Sequence, residues 1–154
     1  MIIGKSKREL EKMRAAGRLV GQVREHLRSM VRPGITTLEI DRVAEKIIRD
    51  AGALPTFKGY NGFPYSICAS VNEQIVHGFP SSYALKEGDI FSIDCGVTLE
   101  GFVGDTAATV PVGKVDDEKL RLIRVTEECL ERAIQQCRPG NRLGDIGWAV
   151  QQHA

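Results

Sequence analysis

Between Leu54 and Val110 the sequence abandons helical periodicity for short β-branched and apolar runs broken by Gly, Pro and Asn, with long helical stretches on both sides. Such a texture marks an antiparallel sheet, and the chain reads as α+β, a sheet covered by helices. Strands are expected over Ser66 to Val71, Gln74 to Val76, Ile90 to Val97 and Phe102 to Val110. Upstream, Ser6-Lys7-Arg8-Glu9 is a capping box followed by Leu10, Met13, Gly17, Val20, Leu27 and Met30 at helical spacing. This predicts a long helix to about Val31, where Arg32-Pro33-Gly34 stops it. A second capping box, Thr36-Thr37-Leu38-Glu39, opens a helix that presents Ile40, Val43, Ala44, Ile47 and Ile48 and ends at Gly52. Downstream, Asp116 caps a helix that runs to Cys137, before a second Arg-Pro-Gly at 138–140.

The two Arg-Pro-Gly stops lie 106 positions apart in the same setting, after one long helix and before another, and Glu39-Ile40 and Asp145-Ile146 keep the same offset. An internal repeat is expected, its first copy running on into a sheet and its second breaking off at Ala154.

Composition removes several classes of function. Lys and Arg number 21 against 20 Asp and Glu, so no net field exists to hold a nucleic-acid backbone or an anionic membrane surface. No apolar run approaches the roughly 20 residues of a membrane span, and the N-terminus has no signal-peptide core, so a cytoplasmic location is expected. Cys68, Cys95, Cys129 and Cys137 show no Cys-x-x-Cys spacing and are expected as buried free thiols.

The chemistry concentrates in Ile93-Asp94-Cys95-Gly96 and Gly101-Phe102-Val103-Gly104-Asp105-Thr106. A turn centred on Glu100-Gly101 sets Leu99 opposite Phe102, Gly96 opposite Asp105 and Asp94 opposite Ala107. Asp94 and Asp105 then form a diagonal pair on one face, roughly 7–8 Å apart at the backbone. Two readings stand at this point. Either they are turn aspartates bonded to nearby amides, or they converge on divalent cations, as paired carboxylates do in sites with metals about 3.5–4 Å apart. His77, in Val76-His77-Gly78-Phe79-Pro80, sits where a strand ends, as a surface imidazole or as a donor to a developing oxyanion. His26 and His153 fall in helical stretches and read as structural. Gly59-Tyr60-Asn61-Gly62-Phe63-Pro64-Tyr65-Ser66-Ile67-Cys68 is an aromatic loop. With Phe57 it either plugs the core or lines a slot of aromatics and sulfur suited to a thioether.

Taken together, Gly59 to Pro64, Ser66-Ile67-Cys68, Val71-Asn72-Glu73, Val76-His77-Gly78, Gly88-Asp89-Ile90, Ile93-Asp94 and Gly101-Phe102-x-Gly104-Asp105-Thr106 resemble, in order, the first half of type I methionine aminopeptidases. The resemblance implies a pita-bread fold of two pseudo-symmetric halves, of which residues 1–154 are the N-terminal portion of one catalytic domain, truncated before the second half. It implies removal of N-terminal methionine from nascent proteins, with two divalent ions (Co, Mn, Fe or Zn) as cofactors. By position, Asp94 and Asp105 match metal ligands and His77 the histidine that contacts substrate and assists catalysis. Tyr60, Phe63 and Cys68 match positions of the methionine pocket, and Phe57 stands where some members carry a smaller residue. Asn61 replaces a histidine found in part of the family. The remaining ligands, a histidine and two glutamates, belong to the second half, so weak or incomplete metal binding and doubtful activity are expected of these residues alone. The expected partners are a peptide or nascent N-terminus and either the missing C-terminal half or a second copy of the chain. A proline-specific peptidase and a metal-free binding or scaffold protein are the other readings. Val71-Asn72-Glu73 speaks against the first, and Asp94, Asp105 and His77 together against the second.

Overall fold

The computed structural model describes residues 3–154, which fall into two compact units, one ending at Lys114 and one from Val115 to Ala154. The first contains helix α1 (Lys7–Met30), helix α2 (Thr37–Asp50), strand β1 (Leu54–Pro55), a 3-10 turn at Tyr60–Gly62, and strands β2 (Ile67–Val71), β3 (Ile90–Leu99) and β4 (Phe102–Pro111). The second contains helices α3 (Asp117–Gln135) and α4 (Leu143–Gln151). Among the described residues no helix is long and apolar enough to cross a membrane.

Both expected capping boxes form. Ser6 and Thr36 accept from the amides of Glu9 and Glu39, and those glutamates accept in return from the cap amides at 2.7 and 2.8 Å. The Arg-Pro-Gly repeat extends to the backbone. Gly34 and Gly140 have φ of 90° and 96°, conformations open to glycine. At the offset of Glu39, Asp145 accepts from the Arg142 amide at 2.7 Å.

All strand pairings are antiparallel, as expected. β3 is central: β4 follows its full length on one edge, while β2 and the short β1 share the other. Strand alternation divides the sheet into two unlike faces. Phe91, Ile93, Cys95 and Val97 are fully buried against Val23 and Leu27 of α1 and Ile40, Ala44 and Ile48 of α2. The opposite face carries Cys68, Ser70, Ser92, Asp94, Thr98, Asp105 and Thr109, and no helix of this unit's core covers it.

The sequence expectation fails over Gln74 to Val76, which is loop. Ile75 and Val76 are 89 % and 62 % exposed, so apolar character there buys no burial. The chain turns at Asn72, whose φ is 53°, with Gln74 bonded back to Val71, and it rejoins the sheet at Gly78, where the Ala69 amide donates to the Gly78 carbonyl at 2.8 Å. His153 lies just past α4, not along a helix, and its imidazole meets Glu128 of α3. Cys68, Cys95 and Cys129 are buried free thiols as expected, whereas Cys137 is exposed.

A further acid organises the entry to β2. Asp41 is 4 % exposed, and one of its oxygens accepts from the amides of Ser66 and Ile67 at 2.8 and 3.1 Å. Burial pushes its carboxyl above the usual range despite those bonds. Asp41→Ala strands two buried amides and is expected to cost about 3 kcal/mol in urea unfolding. Asp41→Asn retains the accepting oxygen and carries no buried charge, so it should lose far less.

Candidate functional site

The β3–β4 register has the pairing that the Glu100-Gly101 turn predicts: Leu99 opposite Phe102, Gly96 opposite Asp105, Asp94 opposite Ala107. Glu100 and Gly101 both have positive φ, 49° and 79°, as the tightest hairpin turns require. The turn therefore fixes Asp94 and Asp105 on the polar face of the sheet. On the other side of β3, Cys68 stands directly opposite Asp94. The face thus brings two carboxylates and a thiol together from three strands.

Asp94 is half-buried, and its Oδ1 is fully buried with no hydrogen-bond partner. Burial and then the charge of Asp105 push its carboxyl above the usual range, with His77 acting in the opposite sense. Asp105 is exposed, and among the described residues neither carboxylate is paired with a Lys or Arg. An orphaned buried carboxylate oxygen beside a second carboxylate is the donor set of a hard divalent cation and is costly without one. The fit is partial, since among the described residues no group of three His, Cys, Asp or Glu converges as a metal cluster would. The Cys68 thiol is pushed up to about 11 by burial, then by Asp94 and Asp105, so at neutral pH it is an uncharged sulfur.

These groups line one cleft of about 490 Å³, and Phe57, Tyr60, Phe63 and His77 line it as well. All seven site residues expected from sequence thus border a single space. Phe57 reaches it over Gly96, where a side chain would collide: an added Cβ would stand 2.7 Å from the Phe57 ring. His77 has φ of 59°, an uncommon conformation for a residue with a side chain and one that marks functional sites.

Sequence reasoning missed Phe79, which also lines the cleft. Its ring meets Phe63 edge-on at 5.1 Å and Tyr65 at 5.7 Å, and Phe63 and Tyr65 lie 6.0 Å apart, completing an aromatic cluster. The available signal was its place two residues after His77, which carries it to the same sheet margin.

Curated relatives include methionine aminopeptidase 1 of Bacillus subtilis, 52% identical over 153 residues, covering 99% of this chain and 62% of the relative. A methionine aminopeptidase of Clostridium perfringens is also 52% identical, with 61% of its length covered. The chain thus spans about three-fifths of these relatives. The crystal structure of methionine aminopeptidase from Rickettsia prowazekii superposes with a TM-score of 0.97 at 39% identity, over 99% of this chain and 62% of that one. Escherichia coli aminopeptidase P, at 21% identity and a TM-score of 0.81, shares the fold alone. The α+β architecture is the one these aminopeptidases carry, the pita-bread fold. Residues 11–154 match the family model of the M24 metallopeptidases, and on that match, together with methionine aminopeptidases similar over 99% of its length, the chain belongs to metallopeptidase family M24.

Proposed function

We propose that these residues form the N-terminal portion of a cytoplasmic methionine aminopeptidase domain, which removes the first methionine from nascent proteins. The observation that carries this reading is the convergence of Asp94, Asp105 and His77 with a slot of aromatics and sulfur in one cleft. Phe57, Tyr60, Phe63 and Phe79 with the uncharged Cys68 offer a soft, apolar lining to an unbranched thioether side chain. Burial, more than the neighbouring carboxylates, keeps the Cys68 thiol protonated and the slot apolar. Asp94 and Asp105 would hold divalent ions, whether Co, Mn, Fe or Zn, together with ligands from a C-terminal half. The chemistry such ions supply is a lowered pKa for water and polarisation of a carbonyl. His77, at the rim, donates a hydrogen bond to the carbonyl oxygen as charge develops there.

Assayed with a complementary C-terminal segment, the chain is expected to release methionine from Met-Ala-Ser and to leave Ala-Pro peptides uncut. Alone it should release little. Preference for Ala-Pro, or no methionine release in either case, overturns the reading. In the complete protein, Phe63→Asp or Cys68→Arg is expected to lower kcat/KM for methionyl peptides by roughly a hundredfold, because each sets a charge in the slot. Steady-state kinetics on Met-Ala-Ser provides the check.

A further inference from the structure

His77 and Phe79 flank Gly78, and Gly78 is where the loop from Asn72 returns to the sheet. Both polar groups of its backbone are held by β2: the Ala69 amide donates to its carbonyl at 2.8 Å, and its own amide donates to Ser70 Oγ at 3.0 Å. The contact is buried, with Ser70 only 3 % exposed and Gly78 itself in the interior. No side chain fits at this point, because a Cβ on Gly78 would lie 2.3 Å from the Ala69 carbonyl oxygen. Gln74 bonds Val71 at the start of the loop, but beside His77 the loop is pressed against the strand at Gly78, and a single side chain, Ser70, supplies half of the fastening there.

The residue before this point is held in an unfavourable backbone conformation. With φ of 59°, His77 sits where a side chain crowds its own backbone, and it would relax to negative φ if the next amide were released. That relaxation would swing its Cβ, and with it the imidazole, away from the cleft. Phe79 has a second support in the rings of Phe63 and Tyr65, whereas the described structure gives the His77 side chain no hydrogen bond of its own. The direction of the imidazole thus rests on the backbone, and the backbone on Ser70.

We propose that Ser70 is a positioning residue for His77: by accepting the Gly78 amide it holds His77 in its left-handed conformation and aims the imidazole into the cleft. The proposal rests on the functional reading above for its effect on turnover, but its structural half stands apart from activity. Ser70→Ala leaves the Gly78 amide buried without an acceptor, and Ser70→Thr restores a hydroxyl at the same atom. Ser92→Ala removes a hydroxyl from the same sheet face that bonds Thr109 at 2.8 Å, whereas the Gly78 amide donates to Ser70.

The test has two arms. By NMR on this chain, the Gly78 amide should be protected from exchange in the wild type, and Ser70→Ala should shift the His77 Cα and imidazole signals away from their left-handed values. Ser70→Thr and Ser92→Ala should leave those signals in place. In the complete protein, Ser70→Ala should lower kcat on Met-Ala-Ser roughly tenfold or more, with KM changed about twofold or less, because Phe79 keeps its ring contacts. Ser70→Thr should recover most of that loss. Rapid exchange of the wild-type Gly78 amide overturns the proposal, and this holds even where Ser70→Ala fails to fold. So do unmoved His77 signals in Ser70→Ala, or equal losses of kcat in Ser70→Ala and Ser92→Ala. An inactive wild-type protein with the predicted NMR shifts would instead count against the peptidase reading and leave the positioning of His77 by Ser70 supported.

Discussion

Asp94→Asn is expected to stabilise the metal-free chain at neutral pH and, on the proposed reading of Asp94 as a metal ligand, to cost the complete protein more than about tenfold in kcat/KM, since groups one step removed from a metal cost about 10–100-fold when lost. The two effects share one cause. Asp94 has a buried oxygen that nothing among the described residues satisfies, and both its burial and Asp105 raise its affinity for a proton. Its folded-state pKa therefore lies above the unfolded one, and the folded chain binds the proton more tightly. The contribution of Asp94 to stability should be greatest below the ordinary carboxylate range, fall as pH rises through its folded-state value, and then level off. Asp41 shifts in the same direction, whereas Glu9, Glu25, Glu39, Glu45, Asp89 and Asp116 shift the other way, so the wild-type slope contains all of them. The difference between wild type and Asp94→Asn isolates Asp94. Urea unfolding of the metal-free chain from pH 3 to 8 checks this, and parallel slopes for the two proteins would show that Asp94 carries no such penalty. Calorimetric titration with Mn²⁺ should show weak binding to the wild-type chain and none to the variant.

Gly104→Ala is expected to destabilise the first unit by about 3 kcal/mol, the upper range for overpacking. Its added Cβ would stand 2.5 Å from the Ala16 carbonyl oxygen and 2.6 Å from the carbonyl carbon. Those atoms belong to the backbone of α1, which cannot step aside as a side chain can. Helix α1 would have to lift from β4 and uncover Val20, Val23 and Leu27, all at most 2 % exposed. Gly17, across the same contact, gives the contrasting result. A Cβ there meets nothing within 4 Å, and Gly17→Ala should add up to about 1 kcal/mol through helix propensity alone. Thermal unfolding of the two variants beside wild type is the measurement, and equal effects of like sign would refute the close helix approach.

What the sequence made legible was governed by local rules. The helix starts follow from Ser-x-x-Glu and Thr-x-x-Glu, and the β3–β4 register from a two-residue turn that only certain backbones allow. Because side chains alternate along strands, that register carried the pairing of Asp94 with Asp105. Composition left open whether the aromatic loop is core or slot. The bordering of one cleft by Phe57, Tyr60 and Phe63 depends on the return of a distant loop, which no short pattern encodes. Gln74 to Val76 shows the converse error. Its apolar pair satisfies the strand rule, yet Ile75 and Val76 face solvent because Gln74 folds back on Val71 in a turn and the chain meets β2 again at Gly78. Asp41 was unreadable for the same reason: a helix residue whose partners, Ser66 and Ile67, lie 25 and 26 positions away.

The tight β3–β4 turn also bears on the order of events in folding. Closing a two-residue hairpin takes on the order of microseconds, whereas contacts such as that of Arg24 with Thr106, 82 positions apart, must first close a long loop. The hairpin is thus expected to draw the two carboxylates together before α1 shields the opposite face. Their repulsion would then act early, and an early interaction acts on the folding rate more than on the unfolding rate. Neutralising the pair by Asp94→Asn should therefore speed refolding and leave the unfolding limb of the chevron nearly unmoved.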